Sequence, residues 1–398
     1  MLSAGIICEY NPLHPGHAEL IEQTRRAGAT HMAAVMCGNF VQRGEPAVLS
    51  KWARARQALA SGIDLVVELP LPWAVAGAEK FAVGGVFLLD AMGADLLSFG
   101  SECGSAERLE HAAGLLLSPK MKTALRASLN RGETFARARQ KAVGLLAGAE
   151  TEALLREPNN ILGIEYLKAK KRLGSGIRPF TVKRAGAAHD ADGAGDEIAS
   201  ASQIRRLIFS GGDYACRLSA PCAAIVRREI DAGRAPAGLA PVERAVLAKL
   251  RGMGPRELAA LPDISEGLEN RIGAAVRKAR SLEELYLLVK SKRYTHARIR
   301  RIVLSAFLGL DASMGDGVPP YLRVLAINEK GREILRQAKE KAKIPIITNS
   351  SDILFLDSSA KNMLELECRA TDLYALCMPK AGPCGLDRTE GIITACRN

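Results

Sequence analysis

Two histidines near the amino terminus, His14 and His17, flank Gly16 in the pattern HxGH. The apolar residues 4–8 predict a buried strand before them, and helical periodicity begins near Gly16. A turn between a strand and a helix directs backbone N–H groups and the positive end of the helix dipole at one point, which suits a phosphate. Two histidines there can donate hydrogen bonds to charge that develops on a phosphoryl group. The stretch therefore predicts an ATP-binding turn with His14 and His17 as catalytic residues.

Either histidine could instead simply cap the helix that follows. What favours the ATP-binding interpretation is the position of the pattern directly after the first strand of a chain that alternates strands and helices. Residues 3–100 show this alternation. It predicts strands at residues 4–8, 32–37, 65–69 and 96–99, and helices at residues 16–26, 51–61 and 79–92.

Repeated strand–helix–strand order predicts the fold class α/β, with a Rossmann-like parallel sheet. Ligands of such sheets bind beyond the carboxyl ends of the strands. The segments that follow the predicted strands are therefore expected to line the site: residues 9–17, 38–44, 70–73 and 100–102.

The second part of this half holds a further phosphate-binding candidate. Residues 105–172 are predicted to be mainly helical, and residues 178–183 to form a returning strand. Ser200 and Gln203 form the sequence pattern of a capping box, which starts a helix that Gly211 ends. Arg205, one turn into that helix, could hold phosphate oxygens together with the helix start. Residues 185–196 between them are rich in Gly, Ala and Asp, and two interpretations stay open: a lid over the substrate or a plain surface loop.

Helical periodicity dominates from residue 214 onward, which places a domain boundary near residues 211–220. We expect a catalytic domain at residues 1–212 and a mainly helical, basic domain at residues 213–398. The second half is predicted to contain one short strand, at residues 344–347. Its predicted helices lie at residues 214–233, 241–252, 266–279, 281–290, 295–309 and 329–342.

The chain is basic, with a formal net charge of +12 and a pI near 9.3. This charge indicates a polyanionic partner such as RNA, although a genome that favours Arg would also contribute to it. The densest basic run is residues 290–301, where Tyr294 could stack on a base. The same run could equally form a solvated helix face.

Other site classes find little support in the sequence. The nine cysteines contain no CxxC pair and no spacing that suits zinc, so neither a disulfide scaffold nor a structural metal is expected. No apolar run reaches the length of a membrane span, and we expect a cytoplasmic protein with no membrane partner and no DNA partner.

Ten sequence segments occur in the order found in one known family: residues 9–17, 38–47, 51–54, 68–70, 99–102, 158–163, 200–205, 266–272, 292–295 and 369–372. On these segments the chain resembles the bacterial tRNA(Met) cytidine acetate ligases, members of the HxGH nucleotidyltransferase superfamily. The resemblance runs essentially from end to end. It implies a nucleotidyltransferase-like first domain that binds ATP and a second domain that binds tRNA.

The resemblance also implies a reaction in two steps. Acetate attacks the α-phosphate of ATP, which gives acetyl-adenylate and pyrophosphate. The exocyclic amine of the wobble cytidine of elongator tRNA(Met) then attacks the acetyl group, which gives N4-acetylcytidine and AMP. Mg²⁺ is expected as the counter-ion of ATP.

The residues that match the family's ATP site surround the two histidines. The resemblance implies that ATP is contacted by Ile7, Cys8, Glu9, Tyr10, Asn11, Pro12, Leu13, Pro15, Gly16, Ala18, Glu19, Leu20, Gly100, Asn159, Arg184, Ser200 and Arg205. The chain departs from the family pattern at three positions. Leu13 stands where an aromatic residue is usual, Pro15 where asparagine is usual, and Ala201 where the second phosphate signature usually has a serine.

Contacts with the anticodon stem-loop of tRNA are expected from basic residues of both halves and from one aromatic residue. These are Arg43, Lys51, Arg54, Lys292, Arg293, Tyr294, Arg298, Arg300 and Arg301. Arg43, Lys51 and Arg54 could hold phosphate instead of tRNA, and a surface salt bridge is a further open alternative for each of them.

Two other functions remain to be weighed. The chain could be a nucleotidyltransferase that adenylylates a small-molecule acceptor, but a long basic second half would then be surplus. It could be an RNA-binding protein without catalysis, but the intact His14, Gly16 and His17 argue against decay of the site. Pyrophosphate release that depends on acetate distinguishes the ligase from both.

Overall fold

The computed structural model describes residues 1–184 and 199–394, so the candidate lid at residues 185–196 lies outside the described residues. Its strands are β1 (Ser3–Cys8), β2 (His31–Cys37), β3 (Phe40–Val41), β4 (Glu45–Pro46), β5 (Leu65–Leu69), β6 (Leu96–Ser101), β7 (Arg178–Lys183), β8 (Leu322–Ile327), β9 (Ile346–Ile347) and β10 (Ile393–Thr394).

The helices alternate with these strands in the first half and dominate the second. They are α1 (Pro15–Arg26), α2 (Lys51–Ala60), α3 (Leu71–Ala74), α4 (Ala78–Ala91), α5 (Ala106–Leu117), α6 (Pro119–Leu129), α7 (Phe135–Leu154, interrupted at Gly148), α8 (Pro158–Leu173), α9 (Ala201–Ser210), α10 (Ala220–Asp231), α11 (Glu243–Gly252), α12 (Pro255–Ala259), α13 (Leu268–Val276), α14 (Leu282–Val289), α15 (His296–Leu308), α16 (Glu329–Lys341), α17 (Ser358–Leu376) and α18 (Leu386–Thr389). Single turns of 3₁₀ helix lie at Ala215–Arg217 and Ala240–Val242, and a longer one at Ser350–Phe355.

The main sheet has the strand order β10-β8-β5-β2-β1-β6-β7, with β9 also paired to β8. Strands β5, β2, β1, β6 and β7 run parallel to one another. The chain builds outward from β1 through β2 to β5, and then returns to add β6 and β7 on the other side of β1. The order of the chain therefore reverses between β1 and β6, and ligands of α/β sheets bind at the carboxyl ends of the strands at such a point.

The predicted α/β fold is confirmed. The four strands expected in the first hundred residues form with shifts of no more than two residues at either end, and the predicted strand at 178–183 forms as β7. The small antiparallel hairpin of β3 and β4 was not predicted. Strands of two residues give no periodicity that a sequence can reveal.

The second half is not only helical, because it supplies three strands to the main sheet. Strand β8 pairs antiparallel with β5, and β10 and β9 pair with β8. Strand β8 was not predicted, although its residues are apolar except for Arg323 and lie between Pro320 and Asn328. The predicted strand at 344–347 is confirmed in shortened form as β9.

Two apolar cores cover the faces of the sheet, because successive side chains of a strand point to opposite sides. In β1, Ile7 faces the core that α4 covers, whereas Ile6 and Cys8 face the core below α1 and α2. Gly85 of α4 packs so closely that a Cβ atom there would lie 2.6 Å from Ile7 Cδ1. This close packing holds β1 in place against α4, and it thereby positions the turn that follows β1.

Among residues 1–184 and 199–394, no helix combines the length and the apolar character needed to cross a membrane.

Candidate active site

The turn between β1 and α1 is closed by its two histidines. His14 is the N-cap of α1, and its Nδ1 accepts a hydrogen bond from the backbone N–H of Gly16 at 3.1 Å. His17, three residues on, accepts at its own Nδ1 from the backbone N–H of His14 at 3.3 Å. The two bonds form a capping box made of imidazoles, and the rings lie 3.9 Å apart between centroids. The alternative of a helix cap and the prediction of a catalytic pair thus describe the same two side chains.

This cap decides where each ring carries its proton. A neutral imidazole has one N–H, and in both residues Nδ1 accepts a hydrogen bond. The proton of each ring is therefore on Nε2. The helix start thus presents two Nε2–H donors in addition to its own backbone N–H groups, which is the arrangement that stabilises negative charge on a phosphoryl group.

Both histidines are held in the neutral form. Burial, with smaller contributions from the positive charges of Arg184 and Arg205, lowers the pKa of His14 from 6.5 to about 4. Burial, followed by the effects of His14 and Arg184, lowers the pKa of His17 well below its ordinary value. Near neutral pH both rings are therefore hydrogen-bond donors that carry no charge of their own.

The residues before His14 hold the turn in one shape. The peptide bond between Asn11 and Pro12 is cis, and Tyr10 has a positive φ of 47°. Asn11 Oδ1 accepts from the backbone N–H of Val48 at 2.8 Å, and Glu9 Oε1 accepts from that of Gln42 at 3.0 Å. The turn is thus tied to the β3–β4 hairpin and to the segment that follows it.

The second predicted phosphate site lies against the same turn. Ser200 and Gln203 form the expected capping box at the start of α9. Arg205 donates through Nη1 to the backbone carbonyl of Asn11 at 2.9 Å and through Nη2 to Ser202 Oγ at 3.3 Å. The amino ends of α1 and α9 are thereby brought together, although His14 and Ser200 are 186 positions apart in the chain.

Gly100, Asn159 and Arg184 lie at the carboxyl end of β6, on the other side of the point where the chain order reverses. A Cβ atom on Gly100 would lie 3.3 Å from Cγ of Arg184, so this glycine leaves room for that side chain. The charge of Arg184 acts on both histidines. Asn159, in the first turn of α8, donates through Nδ2 to Glu102 at 2.6 Å. The structure therefore gathers these predicted residues around one end of the sheet.

The other predicted ATP contacts divide between the interior and the surface. Side chains of Ile7, Cys8, Tyr10, Asn11, Pro12 and Leu13 are buried, so these residues can offer a ligand mainly their backbone. Pro15, Ala18 and Glu19 line a cavity of about 490 Å³ together with Leu13, His14, Arg25 and residues 216–219. A helix turns by about 100° per residue, so that face of α1 lies well away from the face that bears His17 and Leu20.

The chain matches the model of the HIGH nucleotidyl transferase family over residues 1–386. A tRNA(Met) cytidine acetate ligase of a Thermoanaerobacter species is 42% identical over an alignment of 399 positions, which covers 98% of each chain. One from Acetivibrio thermocellus is 37% identical over 98% of this chain and 99% of that one. The chain belongs to the tRNA(Met) cytidine acetate ligase family.

Solved structures of this family have the same fold along the whole chain. The crystal structure of Thermotoga maritima TmcAL bound with alpha-thio ATP is 33% identical, covers 99% of both chains and has a TM-score of 0.91. The apo form of the same protein gives 34% identity and a TM-score of 0.92 over 99% of both chains.

Two of the predicted RNA contacts of this family member are wrong. Lys51 and Arg54 are fully buried in α2. Lys51 Nζ forms ion pairs with Glu68 at 2.7 Å and Asp387 at 2.5 Å, and Arg54 donates only to backbone carbonyls of the interior. Neither side chain reaches a surface that RNA could contact. The open alternative of a surface salt bridge is also wrong for both residues.

The basic run at 290–301 divides into inward and outward residues. Tyr294 is only 8% exposed and packs in the helical core, so the prediction that it stacks on a base is wrong. Arg298 donates to the carbonyl of Asp263 and to Ser265, and Arg301 pairs with the carboxylate of Asp263 at 2.7 Å. These two arginines are engaged in holding the loop that carries Asp263.

Four of the predicted RNA contacts are exposed: Arg43, Lys292, Arg293 and Arg300. Arg300 lies 3.9 Å from Glu45, which also lies 3.4 Å from Arg205. Gly44 packs against the backbone of α15, where a Cβ atom would lie 2.5 Å from the nitrogen of Arg301. The β3–β4 hairpin therefore connects the two helix starts of the site to the basic helix α15.

Sequence reasoning missed several groups that shape the site. Glu45 lies between Arg205 and Arg300, and Glu102 accepts hydrogen bonds at the start of α8. The family segments at 38–47 and 99–102 contain both carboxylates, which was the available signal. Their partners come from distant parts of the chain, so spacing alone could not assign them.

No group of three or more His, Cys, Asp or Glu residues that could hold a metal lies in the described part of the chain. Of the carboxylates beside the turn, Glu9 accepts from the backbone and Glu45 lies between guanidinium groups. The side chains present here suit the phosphates of a nucleotide better than a dedicated cation site.

Proposed function

We propose that this chain is an ATP-dependent ligase that joins acetate to the wobble cytidine of elongator tRNA(Met). The observation that carries the proposal is the pair of capping histidines at the point where the chain order reverses in the sheet. It leaves two neutral Nε2–H donors beside a helix start, which matches the need of a reaction at the α-phosphate of ATP. The family membership of the chain supplies the identity of the substrates.

The first step would form acetyl-adenylate. A carboxylate oxygen of acetate attacks the α-phosphorus of ATP, and the bond from that phosphorus to the oxygen shared with the β-phosphate breaks. Pyrophosphate leaves with the electron pair of that bond. His14 and His17 would donate from Nε2 to the oxygens of the α-phosphate as negative charge builds there.

The second step would transfer the acetyl group. The exocyclic amine of cytidine attacks the acetyl carbon, the bond from that carbon to the phosphate oxygen breaks, and AMP leaves. The amine loses one proton and becomes an amide. The product is N4-acetylcytidine, and neither step needs an oxidant or a reductant.

The ATP site would be formed by the residues that the fold places around the turn. The β1–α1 turn, with Gly100 and Arg184 at the end of β6, would hold the nucleoside and the α-phosphate. The start of α9 with Arg205 would hold the outer phosphates, because a helix start and a guanidinium both favour anions. Asn159 would exchange its bond with Glu102 for a contact with the nucleotide. Mg²⁺ would arrive with ATP as part of the substrate, bound by the phosphates.

The RNA would lie across the exposed basic residues Arg43, Lys292, Arg293 and Arg300. The hairpin that bears Arg43 and Glu45 links this surface to the ATP turn. We propose that residues 1–212 activate acetate and that residues 213–398 bind most of the anticodon stem-loop through phosphate contacts, which fix orientation on RNA without reading sequence. An enzyme that acts on tRNA is expected to work in the cytoplasm.

Exchange of labelled pyrophosphate into ATP tests the activation step by itself. We expect the purified chain to catalyse exchange when acetate and Mg²⁺ are present and to lose it when acetate is omitted. Exchange that needs another acceptor would instead favour adenylylation of a small molecule. No exchange with acetate, either with tRNA present or without it, would contradict the ligase function.

A further inference from the structure

Arg54 is a fully buried guanidinium whose hydrogen bonds to the described residues all go to backbone carbonyls. Nε donates to the carbonyl of Leu49 at 3.0 Å. Nη1 donates to the carbonyls of Glu9 at 2.6 Å and Cys37 at 3.0 Å, and Nη2 donates to that of Gly38. One side chain thus joins the ends of β1 and β2 to the segment that precedes α2.

These carbonyls lie at the carboxyl end of the sheet, where the β1–α1 turn begins. Cys8 ends β1 and Glu9 follows it, while Cys37 ends β2 and Gly38 follows that. A carbonyl oxygen carries partial negative charge, so a group of them near a triphosphate opposes its binding. The guanidinium bonded to these oxygens offsets that effect and adds a full positive charge below the turn.

The charge of Arg54 has no carboxylate partner close by. Within the described residues no Asp or Glu oxygen lies within 4 Å of its guanidinium, and Glu9 acts on it only at longer range. Burial lowers the pKa of Arg54, but an arginine stays protonated at neutral pH. Lys51, one turn earlier on α2, is equally buried but pairs with two carboxylates.

The contrast between these two neighbours matters because an unpaired buried charge is costly. Lys51 has its counter-charges within the protein, as a structural cation does. Among the described residues Arg54 has no carboxylate in direct contact with it, and it lies at the end of the sheet where an anionic nucleotide is expected. A bound triphosphate supplies negative charge at that end.

We propose that Arg54 is a positioning residue for ATP: its buried charge, held by the carbonyl ends of β1 and β2, raises the affinity of the β1–α1 turn for the triphosphate without touching it. This inference rests on the proposed function, since it needs ATP as the substrate. It replaces the direct contact with phosphate or RNA that the sequence suggested for Arg54.

The test compares the KM of ATP in acetate-dependent pyrophosphate exchange between Arg54→Gln and the unsubstituted enzyme. Gln keeps a hydrogen-bond donor and removes the charge. We expect the KM of ATP to rise by about tenfold, with a smaller change in kcat, because long-range charge acts on binding of the triphosphate. A folded Arg54→Gln enzyme with a KM within twofold of the unsubstituted value would overturn the proposal.

Arg271→Gln is the matched control. Arg271 also donates to backbone carbonyls, those of Leu288, Val289 and Lys290, and it lies in α13, in the half of the chain that holds none of the predicted ATP contacts. We expect Arg271→Gln to lower the melting temperature and to leave the KM of ATP unchanged. An equal rise of KM in both variants would show general loosening of the fold and would overturn the proposal.

Arg54→Lys decides the matter if Arg54→Gln does not fold. Lys keeps the charge but cannot reach all four carbonyls, so we expect a lower melting temperature and a KM of ATP within about threefold of the unsubstituted value. A larger rise in KM would mean that geometry, and not charge, is what Arg54 supplies.

Failure of the proposed function gives a different result from failure of this inference. If the unsubstituted enzyme shows no acetate-dependent exchange, the function fails, and the shift of melting temperature caused by ATP alone then tests Arg54. A smaller shift in Arg54→Gln than in Arg271→Gln supports the inference, and equal shifts overturn it.

Discussion

The β1–α1 turn and the basic run at residues 290–301 were both predicted from local sequence. In the structure, the predicted side chains of these two regions are placed differently. In the turn, both predicted catalytic side chains face one another and close the start of α1. In the basic run, Tyr294 is buried, and Arg298 and Arg301 hold a neighbouring loop. Only Lys292, Arg293 and Arg300 of the predicted contacts there are exposed.

The difference lies in how each region fixes the direction of a side chain. A strand followed by a tight turn and a helix leaves few conformations, and His14 and His17 must both lie at the helix start. A run of charges on a helix points in all directions, and the neighbours of the helix decide which charges face water. Charge density therefore predicts a class of surface, whereas the HxGH pattern predicts particular contacts.

The largest expected effect comes from breaking the turn. His17→Ala removes one Nε2–H donor, and removal of one such donor costs about 10² to 10³ in kcat. We expect a loss of that size in acetate-dependent pyrophosphate exchange, with the Kd for tRNA within about twofold of the unsubstituted value. His111→Ala, on the exposed face of α5, is the control and should change neither quantity. Equal losses of exchange and of tRNA affinity would contradict the separation of the two regions.

The pH dependence of the free energy of unfolding tests whether His14 is neutral in the folded turn. Unfolded His14 binds a proton near pH 6.5, whereas burial lowers the pKa of folded His14 to about 4. Between these values the unfolded state binds more protons, so the free energy of unfolding decreases as pH falls from 6.5 to 4, by about 3 kcal/mol at most from this residue.

Urea unfolding of the unsubstituted chain and of His14→Gln, measured from pH 7 to pH 4, checks this expectation. The variant cannot titrate at position 14, so its free energy of unfolding should decrease less over that interval. An equal decrease in both proteins would mean that His14 is not held in the neutral form.

The smallest expected effect distinguishes outward from inward residues of the basic run. Arg300→Ala should raise the KM of tRNA by roughly threefold to tenfold and reduce its salt dependence by about one phosphate contact. Arg301→Ala breaks the pair with Asp263 and should mainly lower the melting temperature. A larger effect on the KM of tRNA from Arg301→Ala than from Arg300→Ala would contradict this assignment.

Much of the fold could be predicted because its first half follows strong local rules. Apolar runs gave β1, β2, β5 and β6, and the capping box at Ser200 gave the start of α9. The central strands of a parallel sheet are buried on both faces, so their sequences are mainly apolar. Such apolar runs can be recognised without knowledge of the distant segments with which the strands pair.

What could not be predicted depends on contacts between distant segments. Strand β8 joins β5 through residues separated by more than 250 positions, and its Arg323 pairs with Glu68 there. The sequence suggested that Arg54 is a surface cation. Its partners are backbone carbonyls, and no sequence pattern indicates such partners. The roles of buried charges therefore required the three-dimensional structure.

The measurement that tests the central claim most directly follows oxygen through the complete reaction. Acetate labelled with ¹⁸O at both carboxylate oxygens is incubated with ATP, tRNA(Met) and the enzyme, and the products are analysed by mass spectrometry. An acetyl-adenylate intermediate requires one ¹⁸O atom in AMP and one in the acetyl group of N4-acetylcytidine. AMP without ¹⁸O, or ADP as the product, would contradict the proposed reaction at the α-phosphate.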